Sequence, residues 1–149
     1  MKPNIHHRLF FPHPPVAVWE YLTSPELMEL WLMKNDFKPV VGHEFQFRTN
    51  PLPKMEFDGV VYCKVLEVIP AKKLSYSWKG GPGKGNITLD SVVVWTLTPV
   101  DNGTELVLDH SGFTETVNLN MYNAMNEGWR KNIHTIAEHL NTVHGTTNA

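Results

Sequence analysis

Apolar and polar residues alternate in several short stretches of the chain, and this alternation predicts β-strands. Side chains on one face of a strand recur at every second position, so alternation marks a strand with one buried face. Leu74, Tyr76 and Trp78, for example, are separated by Ser75 and Ser77. The pattern predicts about six strands, which lie within residues 5–11, 43–47, 58–69, 74–78, 93–97 and 106–110.

Turn-forming residues separate these stretches at short intervals. Pro70-Ala71-Lys72-Lys73 predicts one turn, and Asp101-Asn102-Gly103 is typical of a tight hairpin. The glycine-rich run from Gly80 to Asn86 predicts a loop, after which the strand pattern resumes. Because strands that are joined by short connections pair antiparallel, we expect an antiparallel sheet.

Helical periodicity replaces the alternation in two regions. Pro15 suits the first turn of a short helix, and Ser24 and Pro25 suit the N-cap and first position of a second one. Near the C-terminus, apolar residues recur at three- and four-residue steps and predict an amphipathic helix from about residue 118 to about residue 143. The last residues, from about 145, are expected to fray.

The order of these elements predicts one α+β domain over residues 1–149: a strand, two short helices, about five strands and a long helix. The long helix must cover the apolar face of the sheet, so we expect a helix-grip fold, with a curved antiparallel sheet wrapped around it. One helix is narrower than such a sheet. An apolar cavity is therefore expected to remain between them.

Composition and charge narrow the possible roles. The chain has 149 residues with 42% hydrophobic and 19% charged residues, which is typical of one globular domain. The net charge of −2 argues against a dedicated nucleic-acid binder. No stretch approaches the roughly 20 apolar residues of a membrane span. The single cysteine, Cys63, and the lack of a signal-like N-terminal segment fit a reducing cytoplasm.

Five segments in a fixed order resemble the helix-grip (SRPBCC) superfamily, which includes START lipid-transfer domains and birch-pollen-type allergens. The segments are residues 14–31, 42–47, 59–78 and 92–113, and the terminal helix that carries Gly128-Trp129. Within the superfamily, the chain is most similar to the branch of the C-terminal domain of the activator of the ninety-kilodalton heat-shock chaperone ATPase. This resemblance implies the fold, but members of the superfamily differ in function.

Aromatic and methionine side chains dominate the predicted interior. Large polarizable rings and adaptable methionines suit a flat apolar ligand, and they suit ordinary core packing equally well. The residues predicted to line the ligand pocket are Trp31, Phe45, Phe47, Tyr62, Tyr76, Trp78, Trp95, Leu108, His110, Met121, Met125 and Trp129.

His110 and Tyr76 are the candidates for chemistry inside this pocket. His110 shares the parity of Leu106 and Leu108, so it is expected on the apolar face of its strand. There it would act as a polar anchor or an acid/base group, or it would be a core histidine that is hydrogen-bonded to a backbone carbonyl.

No cofactor or metal is expected. None of the eight histidines are four residues apart, and no HExxH motif occurs. The glycine-rich run lacks the P-loop pattern, because Lys84 is followed by Gly85.

Three functions stay open. The first is binding of a small hydrophobic molecule, aromatic or lipid-like, in the apolar cavity. The second is a cyclase or hydratase that acts on an aromatic or polyketide-like substrate. The third, implied by the resemblance, is a co-chaperone-like domain that stimulates a chaperone ATPase. A homodimer and contact with a chaperone are therefore considered as partners, besides the small molecule.

Overall fold

A seven-stranded antiparallel sheet forms the framework of the protein. The computed structural model describes residues 4–52, 57–113 and 119–142, the first three of the last range by backbone only. The strands follow the order β1-β7-β6-β5-β4-β3-β2 across the sheet. They are β1 (Ile5–Phe11), β2 (Lys34–Asn35), β3 (Glu44–Arg48), β4 (Val60–Ile69), β5 (Lys73–Gly80), β6 (Leu89–Val100) and β7 (Gly103–Ser111).

The predicted antiparallel helix-grip sheet is confirmed, with one strand more than the pattern indicated. The additional strand is β2, whose two residues pair with Arg48 and Phe47 of β3. Two residues are too few to show alternation, which is why no strand was predicted in this region.

Three helices accompany the sheet: α1 (Pro15–Thr23), α2 (Pro25–Trp31) and α3 (Leu119–Leu140). The predicted break between the two short helices is confirmed at Ser24, which has extended backbone angles. Its hydroxyl donates to the carboxylate of Glu26 at 3.0 Å, however, and makes no capping bond to a backbone N–H. No helix in the described parts of the chain is long and apolar enough to cross a membrane.

Tight turns join β4 to β5 and β6 to β7, whereas the loop of residues 81–88 joins β5 to β6. Asp101 and Asn102 both have positive φ, as a two-residue hairpin turn between twisted strands requires. The predicted hairpin at this position is confirmed. At one edge of the sheet, β1 pairs with β7, in register from Ile5 opposite His110 to Phe11 opposite Thr104.

Helix α3 lies on the concave face of the sheet. Its buried residues recur at helical spacing and are Trp129, Ile133, Ile136 and Leu140. The ring of Trp129 contacts those of Trp78 and Trp95, with centroids 5.1 Å and 5.5 Å apart. The main core therefore lies between α3 and strands β5 to β7.

Candidate ligand-binding cavity

A packed aromatic core, rather than an open space, occupies most of the volume between α3 and the sheet. Trp78 lies near its centre, with its ring centroid 5.4 Å from that of Phe47 and 5.1 Å from that of Trp129. Edge-to-face and tilted arrangements such as these stabilise aromatic pairs beyond the area that they bury. Nine of the predicted pocket residues are buried in this core: Trp31, Phe45, Phe47, Tyr76, Trp78, Trp95, Leu108, His110 and Trp129.

His110 lies in the core and uses both ring nitrogens in hydrogen bonds. The indole N–H of Trp129 donates to Nδ1 at 3.0 Å, so Nε2 carries the proton and donates to Oγ of Ser91 at 2.8 Å. Ser91 in turn donates to the backbone carbonyl of Trp78 at 2.7 Å. Burial lowers the pKa of His110 to about 3, which keeps the ring neutral. His110 therefore reaches a backbone carbonyl through Ser91 and acts as a core histidine.

Tyr76 is also enclosed. Its hydroxyl accepts a hydrogen bond from the indole N–H of Trp95 at 3.0 Å, and its ring is fully buried. The rings of Phe37, Phe45 and Phe47 lie around it, with centroids 5.4 to 6.3 Å away. Burial raises the pKa of the Tyr76 hydroxyl well above its usual range. Tyr76 is therefore uncharged and in contact with protein groups.

An apolar cavity of about 220 Å³ remains at one end of the core and opens towards the surface. Residues of helix α3 and of strands β4, β5 and β6 of the sheet contribute to its wall. Among the described residues, no charged side chain lines it, and Thr49 supplies the one hydroxyl. The lining residues are Met33, Thr49, Leu52, Phe57, Val61, Trp78, Gly80, Leu89, Ala124 and Met125.

Two small residues, Gly80 and Ala124, belong to the wall of the cavity. Gly80 has no side chain, and a Cβ added there would lie 3.8 Å from the ring of Phe57. On helix α3 the cavity is lined by Ala124, an exposed residue whose side chain is a single methyl group. Leu52 and Phe57, which close one side, are joined by backbone hydrogen bonds of 2.8 Å and 3.2 Å. The wall of the cavity thus includes one glycine and one alanine among larger, mainly apolar residues.

Of the predicted pocket residues whose side chains the structure describes, Trp78 and Met125 line this cavity and the others do not. Tyr62 was assigned to the wrong face, because it is 40% exposed while Val61 and Cys63 beside it are buried. Strand β4 has apolar residues at both parities, so alternation did not separate its faces. The side chain of Met121 lies outside the described residues.

Eight of the described residues that line the cavity are not among the predicted pocket residues. Of these, Val61 had a detectable signal, since it pairs with Phe47, whose inward orientation the pattern did predict. Paired residues of neighbouring strands face the same side of a sheet. The eight are Met33, Thr49, Leu52, Phe57, Val61, Gly80, Leu89 and Ala124.

Comparisons with known proteins agree with this architecture. Residues 12–141 match the family model described as Activator of Hsp90 ATPase homolog 1-like protein. The chain is similar to protein MLL2253 from Mesorhizobium loti, with 37% identity, a TM-score of 0.82, and coverage of 94% of this chain and 98% of that chain.

Two further solved structures are similar. Protein BH1534 from Bacillus halodurans is 25% identical with a TM-score of 0.73, and 93% of this chain and 98% of that chain are covered. The Aha1 dimer from Colwellia psychrerythraea is 22% identical with a TM-score of 0.73, covers 97% of this chain and 98% of its own, and shows the fold alone. No curated protein matches the chain significantly. The family match spans most of the chain and confirms the resemblance, so the protein belongs to the Activator of Hsp90 ATPase homolog 1-like family of the SRPBCC superfamily.

Proposed function

We propose that the protein binds a small, mainly apolar molecule in the cavity between α3 and the sheet. The observation that carries this proposal is an apolar cavity of about 220 Å³ that opens to the surface of an otherwise densely packed core. Water gains few hydrogen bonds in such a space, and apolar surface buried there contributes roughly 25 cal/mol per Å².

The volume of the cavity limits the size of the ligand. An apolar cavity of roughly 150 Å³ is enough for benzene, while pockets for drug-sized ligands begin at about 300 Å³. The cavity, at about 220 Å³, falls between these values and suits one or two rings or a short alkyl chain. The hydroxyl of Thr49 and the indole N–H of Trp78 form no hydrogen bond with any described residue, so both can donate to an acceptor on the ligand.

Binding is favoured over catalysis because the two candidates for chemistry are engaged elsewhere. A general acid or base must lie within hydrogen-bond reach of the reacting group. His110 and Tyr76 are not among the residues that line the cavity, and their polar atoms contact Trp129, Ser91 and Trp95. The cyclase or hydratase hypothesis thus lacks an acid or base in the described lining.

A homodimer and contact with a chaperone remain predictions, and the cavity is evidence neither for nor against them. A homodimer is suggested by the Colwellia neighbour, whose structure is that of a dimer. Sedimentation velocity would detect it as a doubled mass. Contact with a chaperone, suggested by the family's description, would show as stimulated ATPase activity of the chaperone when the protein is added.

The proposal is tested by filling the cavity. Ala124→Leu places a larger side chain at the lining, and Asn123→Leu adds the same side chain at the neighbouring exposed position of α3, which is not part of the lining. Calorimetric titration with indole should show that Ala124→Leu weakens binding by about tenfold or more, since the loss of about 1.4 kcal/mol is a factor of ten. The control should bind as the wild type does. Equal affinity of the two variants, or failure of indole and other small aromatic molecules to bind the wild type, would refute the proposal.

A further inference from the structure

A polar groove lies beside the apolar cavity. It has a volume of about 500 Å³ and is wide open to the surface. Met33 and Thr49 belong to the walls of both the groove and the cavity, so the two are adjacent. The groove is lined by Glu29, Leu32, Met33, Lys34, Arg48, Thr49 and Asn50.

Two cations stand next to each other in this groove. Lys34 on β2 and Arg48 on β3 are directly paired across the two strands, and both are exposed. Within the described residues, neither forms an ion pair with a carboxylate. Glu29 is the one acid among the described lining residues, so these residues carry one net positive charge on a chain whose net charge is −2.

The guanidinium of Arg48 is held in place by its neighbour. Its Nε and one terminal nitrogen donate to Oε1 of Gln46 at 3.0 Å and 2.6 Å. The backbone N–H of Gln46 in turn donates to the carboxylate of Asp36 at 2.9 Å. The remaining N–H groups of Arg48 form no hydrogen bond with the described part of the chain and can donate to an anion, and a guanidinium held in this way loses less entropy on binding.

Given that the cavity binds a ligand, we propose that this ligand is an amphipathic anion. Its apolar body enters the cavity, and its acidic group, a carboxylate or a similar oxyanion, lies past Met33 and Thr49 beside Lys34 and Arg48. Such a division keeps the charge in the hydrated groove, because burying an unpaired charge in the apolar cavity would be costly. Arginine and lysine together recognise oxyanions through charge-assisted hydrogen bonds.

Three probes with the same body and different head groups test this assignment: phenylbutyrate, phenylbutanol and phenylbutylamine. Calorimetry at low salt should show that the wild type binds the acid about fivefold more tightly than the alcohol, and the amine more weakly than either, as expected for two exposed charge contacts. The double variant Lys34→Gln/Arg48→Gln should lose the preference for the acid and keep its affinity for the alcohol.

Lys64→Gln provides the control for overall charge. Lys64 is an exposed cation on the outer face of β4, and it is not part of either lining. This variant should keep the preference for the acid. Equal affinity of the wild type for acid and alcohol, or loss of the preference in Lys64→Gln as well as in the double variant, would overturn the assignment while leaving the apolar cavity intact. Failure of the acid and the alcohol alike to bind would instead refute the proposed function.

Discussion

The indole N–H of Trp129 on α3 donates to Nδ1 of His110 on β7 across 3.0 Å, and this bond sets the tautomer of a fully buried histidine. The chain of hydrogen bonds continues through Ser91 on β6 to the carbonyl of Trp78 on β5. The long helix is thus joined to three neighbouring strands by polar contacts inside an apolar core. Such a chain contributes to stability only while every member is satisfied.

Removing the hydroxyl of Ser91, the middle member of these hydrogen bonds, should therefore lower the free energy of unfolding. Ser91→Ala leaves the Nε2–H of His110 without its acceptor, and a buried unsatisfied group costs about 1–3 kcal/mol of the free energy of unfolding. Ser77→Ala is the control, because Ser77 accepts a bond from the backbone of Lys64 at a partly exposed position where water can replace it. Urea unfolding should show a larger loss for Ser91→Ala than for Ser77→Ala. Equal losses would contradict the role of the chain.

The stability of the protein should fall as the pH falls below neutral, in part because of His110. The unfolded chain takes up a proton on this residue near pH 6.5, and the folded protein does so only near pH 3, because burial lowers the pKa. The unfolded state therefore binds more protons between these values. Above pH 6.5 the neutral ring of His110 makes its full contribution to the free energy of unfolding. Between pH 6.5 and pH 3 this contribution falls by up to about 1.4 kcal/mol for each pH unit that the pH is lowered.

The imidazole nitrogen shifts of His110, measured by NMR, test this directly. In the folded protein they should stay those of a neutral ring with protonated Nε2 between pH 7.5 and pH 5, and in urea they should titrate near pH 6.5. A folded-state midpoint near pH 6.5 would contradict the buried neutral assignment.

Tyr76 and Tyr62 form a matched pair for stability and binding. Tyr76→Phe removes the acceptor of the buried indole N–H of Trp95 and should cost about 1–3 kcal/mol of unfolding free energy. Tyr62→Phe changes an exposed residue on the outer face and should stay within about 0.5 kcal/mol. Neither residue lines the cavity, so both variants should bind indole as the wild type does. A selective loss of affinity in Tyr76→Phe would return Tyr76 to the binding site.

Cys63 should be inert to thiol reagents in the native protein. It is 5% exposed, and burial raises the pKa of its thiol, so little thiolate is present or accessible. Labelling should be slow in buffer and fast in denaturant, and any ligand that stabilises the fold should slow it further. Labelling in buffer at the rate of an unfolded control peptide would contradict the packing of β4.

Most of the fold was readable because its strands carry clear alternation. In β5, Leu74, Tyr76 and Trp78 are all buried, and the serine between Tyr76 and Trp78 is only partly so. The break between α1 and α2 was readable from Ser24 and Pro25, whose backbone restrictions are local. These features depend on neighbouring residues and not on distant contacts.

The cavity was harder to predict because its lining residues come from distant parts of the chain. Gly80 and Ala124 belong to its wall although they lie 44 positions apart, and nothing in their local sequence indicates that the same cavity joins them. The aromatic residues that looked suited to a ligand instead pack against each other, as Trp78 and Trp129 do. Which residues are left uncovered is decided by tertiary packing.

The methyl groups of methionine report most directly on whether a small apolar molecule binds in the cavity. Met33 and Met125 line the cavity, whereas Met28 is buried in the core away from it. Protein labelled at the methionine methyl groups would be titrated with indole, whose ring current shifts nearby methyl signals. Indole bound in the cavity should cause saturable shifts of the Met33 and Met125 signals and leave the Met28 signal unchanged. Signals from Met33 and Met125 that stay fixed at saturating indole, or move no more than that of Met28, would contradict a ligand-binding cavity at this site.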